Sequence, residues 1–376
     1  MADEETEKRV SWAELFFDLV FVFAITEVSE LVAEHHSWLG VLRALTVFVP
    51  VYWTWVGASM QANLRDLSPI RFRLGLFAVG LTGLFMALAV PEAYGERGLL
   101  FAASYWVGRF LLAGIAFGGA DRRPNPPFVV AVVVSGPLLV AGGLLDGPAR
   151  LALWAAAAVI DLASPTIFRF RLRALRFDAP HLTERFGLLV LIALGESVVA
   201  IGAPAAAGLG LSAGVLGAVA AAFALSCGLW WVYFQYAQDA MRFSMATAQV
   251  QTDVARHVLS YAHLSFVGAI IAAAVGMREA VAHPSEHLNW AVTGLLYGGA
   301  ALYLATFGYT RWKMFRLVST TRLAGAGVVL VLLPVAPFLP ALAALVLLAV
   351  AIAALNAVEH YRVRRAAARE QVDQPS

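Results

Sequence analysis

Long apolar stretches recur along the chain, separated by short segments that hold most of its charges. A helix needs about 20 mostly apolar residues to cross roughly 30 Å of hydrocarbon. Twelve stretches meet that length: 12–34, 40–61, 70–91, 98–118, 127–146, 149–167, 184–206, 210–237, 255–278, 287–309, 321–337 and 340–358. They are too long and too continuously apolar for barrel strands, which alternate and run about 9–11 residues, so the pattern predicts transmembrane helices. The run from Leu323 to Val358 is broken by Pro334, Pro337 and Pro340 and is read as two spans, because one span would leave the terminal arginines on the outer side.

The loops test this count, since cytoplasmic loops collect Lys and Arg. With the amino terminus inside, 22 of the 27 Lys and Arg fall on the cytoplasmic side, among them Arg122, Arg123, Arg185, Arg256 and Arg369. Arg43, Arg97, Arg150 and Arg278 fall outside, and Arg109 lies within the fourth span. The split predicts an all-α polytopic membrane protein of twelve transmembrane helices with both termini cytoplasmic.

Composition agrees. Apolar residues make up 60% of the 376 and charged ones 14%, against roughly 45–50% and 25% in a soluble domain. With a mean hydropathy of +0.74, too few polar side chains exist to cover a water-soluble core of this size. Disorder, a collagen-like repeat and a secreted disulfide scaffold are excluded, and the single Cys227 has no intrachain partner. A net charge of +2 gives no nucleic-acid partner; the expected surroundings are the lipid bilayer. The acidic start, MADEETEKRV, lacks a small-residue cleavage site and reads as an uncleaved amino terminus.

The first span, Phe17 to Glu27 (FDLVFVFAITE), aligns without gaps with the seventh, Phe186 to Glu196 (FGLLVLIALGE), at an offset of 169. Weaker echoes pair VYWTWVG from Val51 with LWWVYF from Leu229, and AVPEA from Ala89 with AVGMREA from Ala274. An internal repeat follows: residues 1–168 as a first six-helix repeat, 169–183 as a basic cytoplasmic linker, 184–358 as a second repeat and 359–376 as a cytoplasmic tail. Six spans per half is even, so the repeats are parallel and related by an axis along the membrane normal. Such a chain acts alone or as a homodimer. The linker RFRLRALR reads first as an anchor against anionic lipid.

The opening Arg9 to Ile25 (RVSWAELFFDLVFVFAI) and the mid-chain His181 to Ser197 (HLTERFGLLVLIALGES) resemble the two signatures of the low temperature requirement A (LtrA) family of bacterial membrane proteins, and the resemblance covers nearly the whole chain. It implies a multi-pass protein of the bacterial inner membrane, in a family named for a cold-growth phenotype and not for an activity. The Phe16 to Ile25 stretch is also similar to the Phe-Ser-Asp signature of the bacterial and lysosomal potassium channel family, in which the first and seventh spans line the pore. Here Phe17 replaces the serine, and Gly187 stands where the second repeat would carry its aspartate.

An ionisable group inside hydrocarbon is costly unless paired or wet, which makes each one a functional candidate. Glu14 and Asp18 are i,i+4 neighbours on one face of the first span, about 6 Å apart along its axis, and suggest a cation or proton site near the cytoplasmic mouth. Glu27 lies about 13 Å farther along on the opposite face, and Glu30 meets water near the outer end. Glu196, the repeat partner of Glu27, is the most deeply placed acid and suits a proton relay. Arg109 needs a partner, with Asp18, Glu27 and Glu196 as candidates; such a pair serves packing or an ion pathway. Asp161, Asp239 and Asp253 read as interfacial.

His257 and His263, six residues apart, are badly spaced for joint metal ligation on a helix and read as packing groups or a proton shuttle. His35 and His36 read as a plain outer loop or a pH sensor. Gly75, Gly80, Gly83, Gly98 and Gly108 read as close helix contacts. Trp53, Trp55, Trp230 and Trp231 read as interfacial belt or pore lining. No Walker loop, dinucleotide fingerprint, zinc motif or nucleophile elbow occurs, so no cofactor and no metal are expected and enzymatic activity is disfavoured.

The functional expectation is a transporter or channel-like protein moving a cation, proton or small solute through a cavity between the repeats, with Asp18 and Glu196 carrying the coupling. The alternatives are a lipid-handling protein, which lacks the histidine boxes of desaturases, and a structural protein whose charges only pair with one another.

Overall fold

The computed structural model describes residues 8–34, 37–66, 69–118, 125–207 and 211–372. His35, His36, Arg122 and Arg123 lie outside the described residues. The regular secondary structure of the described residues is helical, with one isolated bridge between His287 and Pro340. Ten of these helices are long and apolar enough to cross a membrane, and the chain is a multi-pass helical membrane protein. The helix Trp12–Glu34 is long enough but holds several acids. Thr320–Leu332 has 13 residues.

The chain forms two compact units. The first comprises Met1–Ala193 with Met241–Leu264. Its helices are α1 Trp12–Glu34, α2 Trp38–Leu64, α3 Ile70–Ala89, α4 Gly98–Phe117, α5 Pro126–Gly143, α6 Gly147–Ile167 and the start of α7 Ala179–Ala207. Helix α2 sits at the centre against α1, α3, α4 and α6, and every residue from Thr46 to Ser59 is buried. That follows from its sequence, which is apolar all round and has no polar face to offer water. Helix α3 packs on α1 and α4 through its other side and leaves Leu74, Phe77, Leu81, Phe85 and Leu88 exposed. This apolar stripe at helical spacing faces outward, which only a lipid solvent makes favourable.

Helix starts are set by local capping. Ser11 and Glu14 form a reciprocal box: the Ser11 N–H donates to Glu14 Oε2 at 2.9 Å and the Glu14 N–H to Ser11 Oγ at 3.4 Å. Asp178 Oδ1 accepts from the His181 N–H at 2.9 Å and so starts α7 at Ala179, five residues before the sequence pattern placed the seventh span.

The second unit comprises Leu194–Ala240 with Ser265–Ser376. It contains α8 Ala213–Phe234, α9 Ala237–Thr247 up to Ala240, α10 Gln251–Ala282 from Ser265, α11 Trp290–Phe315, α12 Thr320–Leu332 and α13 Ala341–Val372. Helix α8 packs on α13, and α12 on α11 and α13. Tyr233, Phe266, Tyr303 and Phe307 form an aromatic core with centroids 4.4–6.2 Å apart. The break between α12 and α13 holds Pro334, Pro337 and Pro340, as their inability to continue a helix requires.

Candidate functional site

Three helices of the first unit each contribute an i,i+4 ladder to one buried cluster: Glu14 and Asp18 from α1, Trp55, Ser59 and Asn63 from α2, and His181 and Arg185 from α7. Arg185 is fully buried, and Glu14 and Asp18 are 1% and 2% exposed. The Arg185 guanidinium grips Asp18 with both ends, Nη1 to Oδ2 and Nη2 to Oδ1, each at 2.8 Å. Its Nη2 also donates to Ser59 Oγ at 3.1 Å. The Trp55 indole N–H donates to Asp18 Oδ1 at 2.8 Å, and its ring lies under the guanidinium at 5.4 Å. Asp18 is thus held by a two-pronged cation and an indole, a strongly preorganised charge pair.

Glu14 is held differently. Its Oε2 accepts from the backbone and hydroxyl of Ser11, the latter at 2.8 Å. Its Oε1 lies 3.1 Å from His181 Nε2 and 3.8 Å from Arg185 Nε, yet these three buried atoms make no aligned hydrogen bond among the described residues. The orientation of the His181 ring is set from its other side. The Asn63 amide is fixed by Asp178, whose N–H donates to Asn63 Oδ1 at 3.0 Å and whose carbonyl accepts from Nδ2 at 2.9 Å. The remaining Nδ2 hydrogen points to His181 Nδ1 at 2.9 Å. That nitrogen must accept, which leaves the ring proton on Nε2, facing Glu14.

Glu14 also borders a cavity of about 570 Å³ lined by Lys8, Arg9, Ser11, Asp66 and Arg73. Lys8 Nζ donates to the carbonyls of Ala62, Asn63 and Arg65 at 2.6, 3.1 and 2.6 Å, closing the end of α2. Burial pushes its ammonium below the usual lysine range, against the pull of Glu14, Asp178 and Asp66.

The structure brings Glu14 and Asp18 together as the helical spacing requires, but their cation is Arg185 and not Arg109. In the sequence Arg185 reads as a loop charge because the apolar pattern hides the first turn of α7; its i,i+4 pairing with His181, mirroring Glu14 and Asp18, is the available signal. Arg109 instead lies over Tyr105 and Phe128 at 5.6 and 5.4 Å and donates to the Trp53 carbonyl at 3.2 Å. Asp161 is in its electrostatic range and is buried within the protein: it is 1% exposed and accepts from the Tyr105 hydroxyl.

Glu27 is half-buried on α1, in the electrostatic range of Glu30, Glu34 and Arg97, and takes no part in the cluster. Glu196 is buried in the second unit, next to the buried Ser197. His263 Nδ1 donates to the Val258 carbonyl at 2.9 Å, and Tyr52 to that of Ser260 at 2.6 Å. Both carbonyls lie in a π-helical segment, Ala255–Tyr261, whose wide turn frees backbone acceptors. His257 is half-buried beside Arg256 and Tyr261. Trp55 belongs to the cluster, Trp53 stacks on Tyr261, and Trp230 and Trp231 are exposed.

A family model described as bacterial low temperature requirement A protein (LtrA) matches residues 9–357. An uncharacterized protein of Rhizobium meliloti (strain 1021) is 34% identical over 321 residues, covering 80% of this chain and 77% of its own length. No solved structure matches the chain. The cluster draws Glu14 and Asp18 from one signature stretch and His181 and Arg185 from the other.

Proposed function

The chain belongs to the low temperature requirement A family, and from that premise we propose a transport protein of the bacterial inner membrane in which Glu14 is the exchangeable carboxylate of a proton or cation pathway. In this reading α1 and α12 join the ten long apolar helices as spans, the twelve form two parallel six-helix repeats, and both termini are cytoplasmic. The observation that carries it is the place of Glu14: a buried carboxylate with His181 Nε2 and Arg185 Nε at 3.1 and 3.8 Å from its Oε1, beside a cavity. Two buried carboxylates, Glu14 and Asp18, share one buried arginine, and Glu14 alone of the two borders the cavity.

The test is flux in sealed proteoliposomes under imposed proton, potassium and sodium gradients. Glu14→Gln is the informative variant, because Gln also closes a capping box and removes only the charge. Flux is expected in the natural protein and a loss of about tenfold or more in Glu14→Gln, the scale of a lost charged hydrogen bond. Asp18→Asn and Glu196→Gln, run alongside, report whether either acid shares the pathway. Unchanged flux in Glu14→Gln refutes its role. No flux in the natural protein under any gradient refutes transport of these ions and turns attention to membrane lipid composition at low temperature. A second reading is favoured for one part of the site: the bidentate Arg185–Asp18 pair, which also holds the Trp55 N–H, acts as a structural clamp.

A further inference from the structure

The first unit holds a second cavity, of about 100 Å³, whose walls come from α2, α4, the start of α5, the linker after α6 and the turn that opens at Gln251. Trp53, Met60, Phe128, Leu172 and Phe177 make most of its lining apolar, while Arg109 and Arg256 supply two cations and no described lining residue is acidic. These arginines are 2% and 8% exposed. Each has a carboxylate in range that does not line the cavity: Asp161 for Arg109, and the half-exposed Asp253, at 2.7 Å, for Arg256.

Buried polar atoms in folded proteins are nearly all paired. Five that are not, among the described residues, belong to side chains lining this cavity: Gln61 Oε1, Arg109 Nε, Asn125 Oδ1, Thr252 Oγ1 and Arg256 Nε. Of the Arg109 N–H groups, only Nη1 finds an acceptor among the described residues, the Trp53 carbonyl. Room for the guanidinium depends on Gly57, where a Cβ would lie 3.1 Å from Arg109 Nη1 and 3.0 Å from Leu112 Cδ1. Two buried arginines with donors to spare and a hydroxyl, set in aromatic and aliphatic walls, match an anionic group on an apolar body, and the two amide oxygens can accept from a protonated or hydroxylated part of it.

We propose that this cavity binds an organic anion, a carboxylate or phosphate ester carried on a short apolar body. Arg109 and Arg256 take the charge, Thr252 donates its hydroxyl, and Trp53, Phe128 and Leu172 hold the apolar part. The ligand is either a water-soluble acid or the head of an anionic lipid. This site goes beyond the transport reading and does not rest on it, since binding is measured without flux.

The test uses the detergent-purified full chain, followed by melting temperature and tryptophan fluorescence. The probes are benzoate, octanoate, their uncharged alcohols, inorganic phosphate, and phosphatidylcholine vesicles with and without phosphatidate. A charged organic probe is expected to raise the melting temperature saturably, with the Kd about tenfold or more weaker in Arg256→Gln. Thr252→Val, which leaves both charges in place, should weaken it about threefold, and Trp53→Phe should abolish the fluorescence change while keeping the thermal one. A response to benzoate or octanoate identifies a soluble acid, and one confined to phosphatidate vesicles a lipid head; both support the site. Absence of a saturable response to every charged probe overturns it. So does equal binding of the alcohols, of inorganic phosphate, or of the anion to Arg256→Gln.

Discussion

Arg185→Met is expected to destabilise the protein by about 3–5 kcal/mol, the cost of leaving a buried charge without its partner. Asp18 then keeps only the Trp55 N–H at 2.8 Å, while Glu14 stays capped by Ser11. Methionine fills much of the arginine's volume, so the loss reports charge and not a cavity. The second half of the test removes the orphan: Arg185→Met with Asp18→Leu should recover much of the stability, because two apolar groups replace a buried ion pair at little net cost. Melting temperature and the fraction of monodisperse protein in detergent measure both variants. An Arg185→Met protein that melts with the natural one would show that the bidentate pair contributes nothing to folding.

The second large effect is expected at Gly299. In the second unit a Cβ at this position would lie 2.7 Å from the Ala269 carbonyl oxygen and 2.8 Å from the Ala273 nitrogen, so the backbones of α10 and α11 touch there. Gly276 stands in the reciprocal place, 2.5 Å from Leu296 Cβ and 2.9 Å from its Cα. Backbone cannot swing aside as a side chain can, and helices in lipid associate through such close approaches of small residues. Gly299→Val should therefore cost about 3 kcal/mol, the upper end of overpacking. Gly294→Val, on the same helix with open space around it, carries the same change in helix propensity and should stay near the natural melting temperature. Equal melting of the two valine variants would rule out the contact as a determinant of stability.

The site was half legible. Glu14 and Asp18 could be placed on one face because the helical period is local: four residues return the side chain to the same side whatever the rest of the chain does. Their cation could not, because Arg185 lies 167 residues from Asp18 in sequence and nothing in either segment's periodicity says which helices meet. Arg109 is the natural candidate in the sequence, being the cation placed deepest within a span; the packing of α4 against α2 gives it aromatic rings and the Trp53 carbonyl instead. His181 and Asn63 carried no signal alone. Only the backbone of Asp178, which pins the Asn63 amide, turns an amide N–H to His181 Nδ1 and leaves Nε2 facing Glu14.

What the sequence determined by itself was the solvent and the secondary structure. A chain this apolar can lower its free energy only in lipid, and lipid permits only backbones that satisfy their own hydrogen bonds, so helices of membrane length follow without knowledge of the fold. The prolines after Leu332 divide the last apolar run for a similarly local reason, a missing N–H. The tertiary structure decided which buried charges are neutralised, and by what. The desolvation of a carboxylate is fixed by its burial, but the choice among distant cations belongs to packing, where two oxygens of Asp18 and two nitrogens of Arg185 had to fall within hydrogen-bond reach.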